Sequence, residues 1–270
     1  MIALLRTEWA KTLRRTRTYV TLGLVVVVPI IMGVALWANP PSPGGREGPR
    51  FFFQATRTGL LFPAAALNIM SRFLLIIVIA LFAGDAIAGE AGTGNLRYLL
   101  VRPIRRGRLL AAKLMIAVGL TFIAAVLLAG TATIVGGITF GFKPFTFGGL
   151  VQESVGQLLL HTAGATFFVF WTLSSVIAFG FMISTMTESA AAAAGAALGF
   201  GVVAEILDAI TSLGDVRNVL PFHYFEAWHD LFVFGRWTDD MWSGLLLPIP
   251  YILVFGGFAW WWFRRKDITD

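Results

Sequence analysis

At 270 residues, with 57% hydrophobic and 13% charged residues and a mean hydropathy of +0.78, the chain falls far short of the roughly 25% charge of an ordinary soluble domain. That balance argues against a soluble globule, and the absence of cysteine excludes disulfides, thiolate chemistry and cysteine-based metal sites while leaving the redox compartment undecided. The net charge of +6 does not point to nucleic acid, because the basic residues sit mostly at the ends of apolar runs, where they orient a membrane protein.

In residues 1–17, Ile2, Leu5, Trp9 and Leu13 fall at helical spacing on one face, with Glu8, Lys11, Arg14 and Arg15 on the other and Arg6 at the edge. A helix of this pattern lies flat in an interface with its basic face towards anionic headgroups. The competing reading is a basic leader that merely satisfies the positive-inside rule. Apolar runs long enough to cross a core of about 30 Å follow at about 19–38, 69–88, 109–137, 163–186, 190–208 and 244–263. A signal peptide would have a shorter apolar region and a small-x-small cleavage site, so the first run is expected to be a retained span. The third run is expected to break near Gly136-Gly137.

Orientation follows from charge. With the N-terminus inside, fourteen of the 21 basic residues fall on the cytoplasmic side and seven outside, which places both termini in the cytoplasm. Tryptophans at run ends, among them Trp37, Trp242 and Trp260 to Trp262, fit interfacial belts. The expected fold is therefore an all-α membrane protein in the cell (inner or plasma) membrane. It comprises one six-span domain, an N-terminal interfacial helix, a short cytosolic helix between spans two and three, and a larger outer segment between spans five and six.

The stretch from Gly84 to Lys113 has glycines at 89, 92 and 94 that interrupt a continuing helix, then room for a short helix from Asn95 to Arg102 before Pro103 stops it. Leu96, Leu99 and Leu100 share one side of it, with Arg97, Tyr98 and Arg102 elsewhere. Exposed leucines on a cytosolic helix suit a partner protein that covers them; a basic loop lying against headgroups is the alternative. Glu90, Gly92, Thr93, Leu96, Arg97, Leu99, Leu100, Arg102, Pro103, Arg106, Arg108 and Lys113 together closely resemble the permeases of type-2 ABC exporters, with Asn95 where leucine or threonine is commoner in that family. The resemblance implies that Glu90 and the helix Asn95, Leu96, Arg97, Tyr98, Leu99, Leu100 and Arg102 form a coupling element seated in a separate ATPase subunit. Glu90 is expected to make an exposed ion pair with Arg97 or Arg106.

The outer segment Gly214 to Ser243 carries Phe222, His223 and Tyr224 and then Glu226, His229 and Asp230. The resemblance implies short re-entrant helices here that line and close the outer end of a path. A metal site built from His223, Glu226, His229 and Asp230 is the sharper alternative, attractive because one transporter of this family serves nitrous-oxide reductase maturation, but no motif fixes it. Intramembrane charge is a functional hypothesis by default. Glu205 in span five is therefore placed with Phe222, His223 and Tyr224 on the substrate path, or else it sits at the water interface paired with Arg217 or Arg236. Gly195-x-x-x-Gly199 permits close helix approach, either within the chain or at the dimer interface that the resemblance implies.

No His-Glu-x-x-His, Gly-x-Ser-x-Gly or P-loop motif occurs, so the chain is not expected to be an enzyme, to hold a metal or cofactor, or to bind nucleotide. By resemblance, ATP and magnesium belong to two copies of a separate P-loop ATPase, and a second permease, identical or related, completes the path. The expected cargo is a hydrophobic or amphipathic compound such as a drug, antibiotic, peptide or lipid. A permease for metalloenzyme maturation and a secondary transporter are the alternatives, with an intramembrane enzyme behind them.

Overall fold

The computed structural model of the protein describes residues 2–40, 50–92, 106–147 and 150–265, and the described helices are numbered here in chain order. Ile2–Leu13 (α1) joins Thr16–Ala38 (α2) through a short break in which Arg15 is extended and the Thr18 hydroxyl donates to the Thr12 carbonyl. Arg50–Arg57 (α3) leads through a 3₁₀ turn at Gly59–Leu61 into Phe62–Met70 (α4) and, after a three-residue irregularity, Leu74–Ala91 (α5). Arg106–Phe140 (α6) is followed by a two-stranded antiparallel ribbon, Phe145–Phe147 (β1) and Leu150–Glu153 (β2), which the all-α expectation did not contain.

Ser154 caps Val155–Thr172 (α7) by a reciprocal capping box with Gln157. Ser174–Met186 (α8) continues it past a bend at Leu173, where the hydroxyls of Ser174 and Ser175 turn back to the carbonyls of Trp171 and Thr172. Ala190–Ala209 (α9) leads into 3₁₀ turns at Thr211–Val219 and Phe225–His229 and the short Asp230–Phe234 (α10). Asp239–Leu246 (α11), capped by Thr238, and Pro248–Arg265 (α12) complete the described chain.

Among the described residues, six helical segments are long and apolar enough to cross a membrane: Thr16–Ala38, Leu74–Ala91, Arg106–Phe140, Val155–Met186, Ala190–Ala209 and Asp239–Arg265. Their outer surface is apolar, with Val20, Leu24, Val27, Ile31 and Val34 of α2 and Leu253 and Val254 of α12 exposed. A belt of this kind far exceeds the patches a soluble monomer leaves to water and suits lipid.

Several boundaries differ from the sequence reading. The fourth segment begins at Val155 rather than 163, and the second at Leu74 rather than 69. The expected break at Gly136-Gly137 does not occur, and α6 runs on to Phe140. Those glycines instead permit contact: a Cβ at Gly136 would sit 2.5 Å from Phe62 Cβ, and one at Gly59 would sit 1.9 Å from the Gly136 carbonyl oxygen. Phe62 thus meets α6 at Gly136 while Glu90 meets it at Lys113, so α4 and α5 together run antiparallel along α6.

Small residues bring α5, α8 and α9 together. A Cβ at Gly84 would fall 2.6 Å from the Ala194 amide nitrogen, and one at Gly180 would fall 2.9 Å from Ala197 Cβ. Ser184 Oγ accepts from the amides of Ile87 and Ala88, both at 3.0 Å, and donates to the Gly84 carbonyl at 2.7 Å, stitching α8 to α5. Trp9 of α1 lies against Gly119, and Trp260 of α12 lies on Gly107. The start of α2, the end of α5, the start of α6 and the end of α12 therefore share one end of the bundle, called here the α1 end. Phe222, Phe225, Trp228, Leu231 and Met241 are buried at the other end, folded over Phe168.

Candidate functional site

At the α1 end, seven charged side chains from three chain segments interlock. Glu90, on the last turn of α5 and only 2% exposed, receives Lys113 of α6 on Oε2 at 2.5 Å and Lys11 of α1 on Oε1, with Arg15 at 3.7 Å. Lys113, 5% exposed, also reaches Glu8 of α1 at 3.3 Å. One turn earlier on α5, Asp85 is held by Arg15 at 2.6 Å and by Arg17. Buried charge is tolerated only when paired and hydrogen-bonded, and here three carboxylates face four cations.

This arrangement corrects two expectations. Glu90 is buried and not in an exposed pair, because α5 runs on to Ala91 and α1 folds back over its end. The polar face of α1 does not turn wholly to headgroups either: Glu8, Lys11 and Arg15 point at the bundle's own charges, while Arg6 and Arg14 stay exposed. Beside the network lies a cavity of about 290 Å³, whose wall passes from Arg15, Asp85 and Glu90 to Leu81, Phe82 and Ala194. The site is thus amphipathic, with a charged rim and an apolar interior.

The sequence-derived helix Asn95, Leu96, Arg97, Tyr98, Leu99, Leu100 and Arg102 lies outside the described residues. Glu90, which precedes it, and Lys113, which follows it, are the two most deeply buried charges of the network.

At the opposite end, Arg72 lies between Glu205 of α9 and Glu226, 2.9 Å from each. Glu205 therefore pairs with an arginine from the α4–α5 junction and not with Arg217 or Arg236, since the packing of α9 on α5 brings that junction closer. His223 Nδ1 lies 2.7 Å from Asp208 Oδ1, with Arg217 3.6 Å away on the same carboxylate. Phe222 is a core residue packed on Phe225, and Tyr224 lies beside Gly244. Asn68 Nδ2 lies 2.9 Å from His229 Nε2, and burial pushes the His229 imidazole below its ordinary value, against the pull of Glu226. Among the described residues, no three His, Asp or Glu side chains converge as metal ligands.

On α9, Ala193, Ala197, Gly201 and Ala204 face inward, while Gly195 and Gly199 face open space.

Residues 22–269 match a family described as a protein of unknown function (DUF2705). The chain belongs to this family. It is also 32% identical over 136 residues to a protein of Pseudomonas aeruginosa named "Probable ABC transporter permease protein NosY", a match covering 50% of this chain and 46% of the relative. A protein of the same name from Stutzerimonas stutzeri is 28% identical over 187 residues, 68% of this chain and 59% of the relative. The chain thus spans about half the length of these relatives. Asp85, Glu90 and Lys113 lie inside the stretch of this DUF2705 member that matches the family, whereas Glu8, Lys11, Arg15 and Arg17 precede it.

The sequence reading singled out Glu90 but missed its partners in α1, and it missed Arg72 as the hub of the far end. One signal was available for the first: acidic residues near the end of a span and basic residues around the start of another can only be buried together.

Proposed function

We propose that this chain is the membrane-spanning permease subunit of an ATP-driven ABC exporter of the type-2 kind, with both termini and the α1 end in the cytoplasm. Two copies of a separate P-loop ATPase, which carry the ATP and magnesium, dock on residues 95–102. A second permease copy or a related permease completes the path. The observation that carries the reading is the buried network of Glu90 and Lys113 with α1, which ties the helices on either side of the 92–106 connection, α5 and α6, to α1. A push on that connection would be felt at once by α1, α5 and α6. The relatives named as permeases support the same class.

The cargo is proposed to be a hydrophobic or amphipathic compound leaving the cytoplasm or inner leaflet, which the amphipathic cavity beside Asp85 and Leu81 suits. Glu205 with Arg72, and His223 with Asp208, would hold the outer end closed. The exposed Gly195 and Gly199 would take the second permease. Replacing them with leucine meets nothing among the described residues at the Cβ position, so lost self-association in those variants would report the dimer face.

The deciding experiment pairs the chain with the separate P-loop ATPase that this reading assigns to it. Alone in lipid it should hydrolyse no ATP, and with the ATPase it should raise hydrolysis above that of the ATPase by itself. Leu99→Asp with Leu100→Asp should release the ATPase while membrane insertion persists. Stoichiometric copurification of the double variant would remove residues 95–102 from the docking site. Hydrolytic turnover by the chain alone would end the exporter reading.

A further inference from the structure

A second built surface at the α1 end stands apart from the charge network. The Trp260 indole of α12 packs against the start of α6, where a Cβ at residue 107 would fall 2.7 Å from its ring edge; glycine leaves the room for it there. Arg106, Gly107, Arg108, Trp260 and Arg264 line an open groove of about 470 Å³. A neighbouring groove of about 410 Å³ shares Trp260 and Arg264 and adds Trp261 and Arg265. The Arg265 guanidinium is held 4.7 Å above the Trp261 ring.

The contrast with the network is chemical. There every cation faces a carboxylate, whereas among the described residues no acidic side chain lines either groove. Among the described residues, Arg108, Arg264 and Arg265 have no carboxylate within 4 Å. Two rows of α12 lead into this basic rim at helical spacing: Leu253, Gly257, Trp260 and Arg264, and Val254, Phe258, Trp261 and Arg265. Their apolar members are exposed, and a Cβ added at Gly257 would meet no atom of the described residues within 4 Å, which leaves a furrow there. An apolar track ending in arginines and an indole shelf is complementary to an acyl chain ending in a phosphate.

We propose that this surface binds an anionic phospholipid of the leaflet at the α1 end, with its phosphate among Arg108, Arg264 and Arg265 and one acyl chain along Val254, Phe258 and Trp261. Basic pockets between spans commonly hold such headgroups. The site is independent of the ATPase reading and requires only that the chain sits in a bilayer.

The test is native mass spectrometry of the full chain in detergent, titrated with dioleoyl-phosphatidylglycerol and dioleoyl-phosphatidylcholine. Wild type should prefer the glycerol lipid. At the strength typical of one basic residue near an anionic surface, Arg108→Gln or Arg264→Gln should each lower that preference about five-fold, and the pair about 30-fold. Arg236→Gln, an exposed arginine at the opposite end, should leave it unchanged. An unaltered preference in the double variant, or an equal loss in Arg236→Gln, overturns the site. Displacement of the lipid by an equal concentration of inorganic phosphate would make it a free-anion site instead. A double variant that keeps its lipid preference but no longer copurifies with the ATPase would make it a protein contact. As a readout free of mutation, phosphatidylglycerol with a diazirine on its acyl chain should label the 253–261 stretch of the wild type, and labelling confined elsewhere overturns the proposal.

Discussion

Removing one member of the Glu90–Lys113 pair should cost stability on a scale that an exposed pair never reaches. Both side chains are buried, at 2% and 5% exposure, with 2.5 Å between Lys113 Nζ and Glu90 Oε2. Breaking such a pair from one side typically costs about 3–5 kcal/mol, because the other charge is left desolvated. Each survivor here keeps a second partner: Lys113 retains Glu8, and Glu90 retains Lys11 and Arg15. The contact from Lys11, whose side chain is 40% exposed, is worth only about 0–1 kcal/mol. The expected cost of Glu90→Gln or of Lys113→Met is therefore near the lower bound, about 3 kcal/mol. Glu90→Leu with Lys113→Met removes both members of the 2.5 Å pair and should cost less than the two single changes added together, since neither is left facing the other's empty place; the loss of Lys113 by Glu8 is common to the single and the double change and cancels in the cycle. A double-mutant cycle on the full chain in mixed micelles, unfolded by denaturant and followed by circular dichroism, measures the coupling. Single costs below about 1 kcal/mol, as for a solvated surface pair, would refute the buried network, and so would strict additivity.

Cysteines placed at Ser42 and Ser243 should react with an impermeant maleimide added outside intact cells, and one at Thr269 should not; labelling at Thr269 would overturn the cytoplasmic tail. His229 titrates below the ordinary value of about 6.5 in the fold, so the unfolded chain binds more protons in the window between the two values and stability rises with pH there. Denaturation midpoints of wild type should therefore fall as pH drops below about 6.5, more steeply than those of His229→Gln; parallel curves would remove His229 as the cause. Gly59→Ala should destabilise by at least the roughly 1–3 kcal/mol of overpacking, because its Cβ would meet the Gly136 carbonyl at 1.9 Å. A neutral Gly59→Ala variant in the same unfolding assay would show that α4 does not sit against α6 as described.

Much of the architecture was legible along the chain. Run length and hydropathy are local quantities, so six apolar segments could be counted. The motif from Glu90 to Lys113 is likewise contiguous and could be singled out by reading. What could not be read was which residues would be neighbours across helices. Glu8, Lys11 and Arg15 look like a solvated face in a linear pattern, and only the folding of α1 over the end of α5 makes them counter-charges for Asp85 and Glu90. Gly136 and Gly137 look like a helix break until Gly59 and Phe62 arrive against them, and the alanine-rich span divides into an inward and an open face only once α5 and α8 are in place. Arg72 stands at the α4–α5 junction and could not be matched with Glu205 until α9 had packed beside it. Sequence alone determined composition, segment length and charge placement, because each is a property of the chain's own order. Tertiary structure alone decided the pairing, because desolvation and close approach depend on distances between segments as much as 161 residues apart, as Asn68 and His229 are.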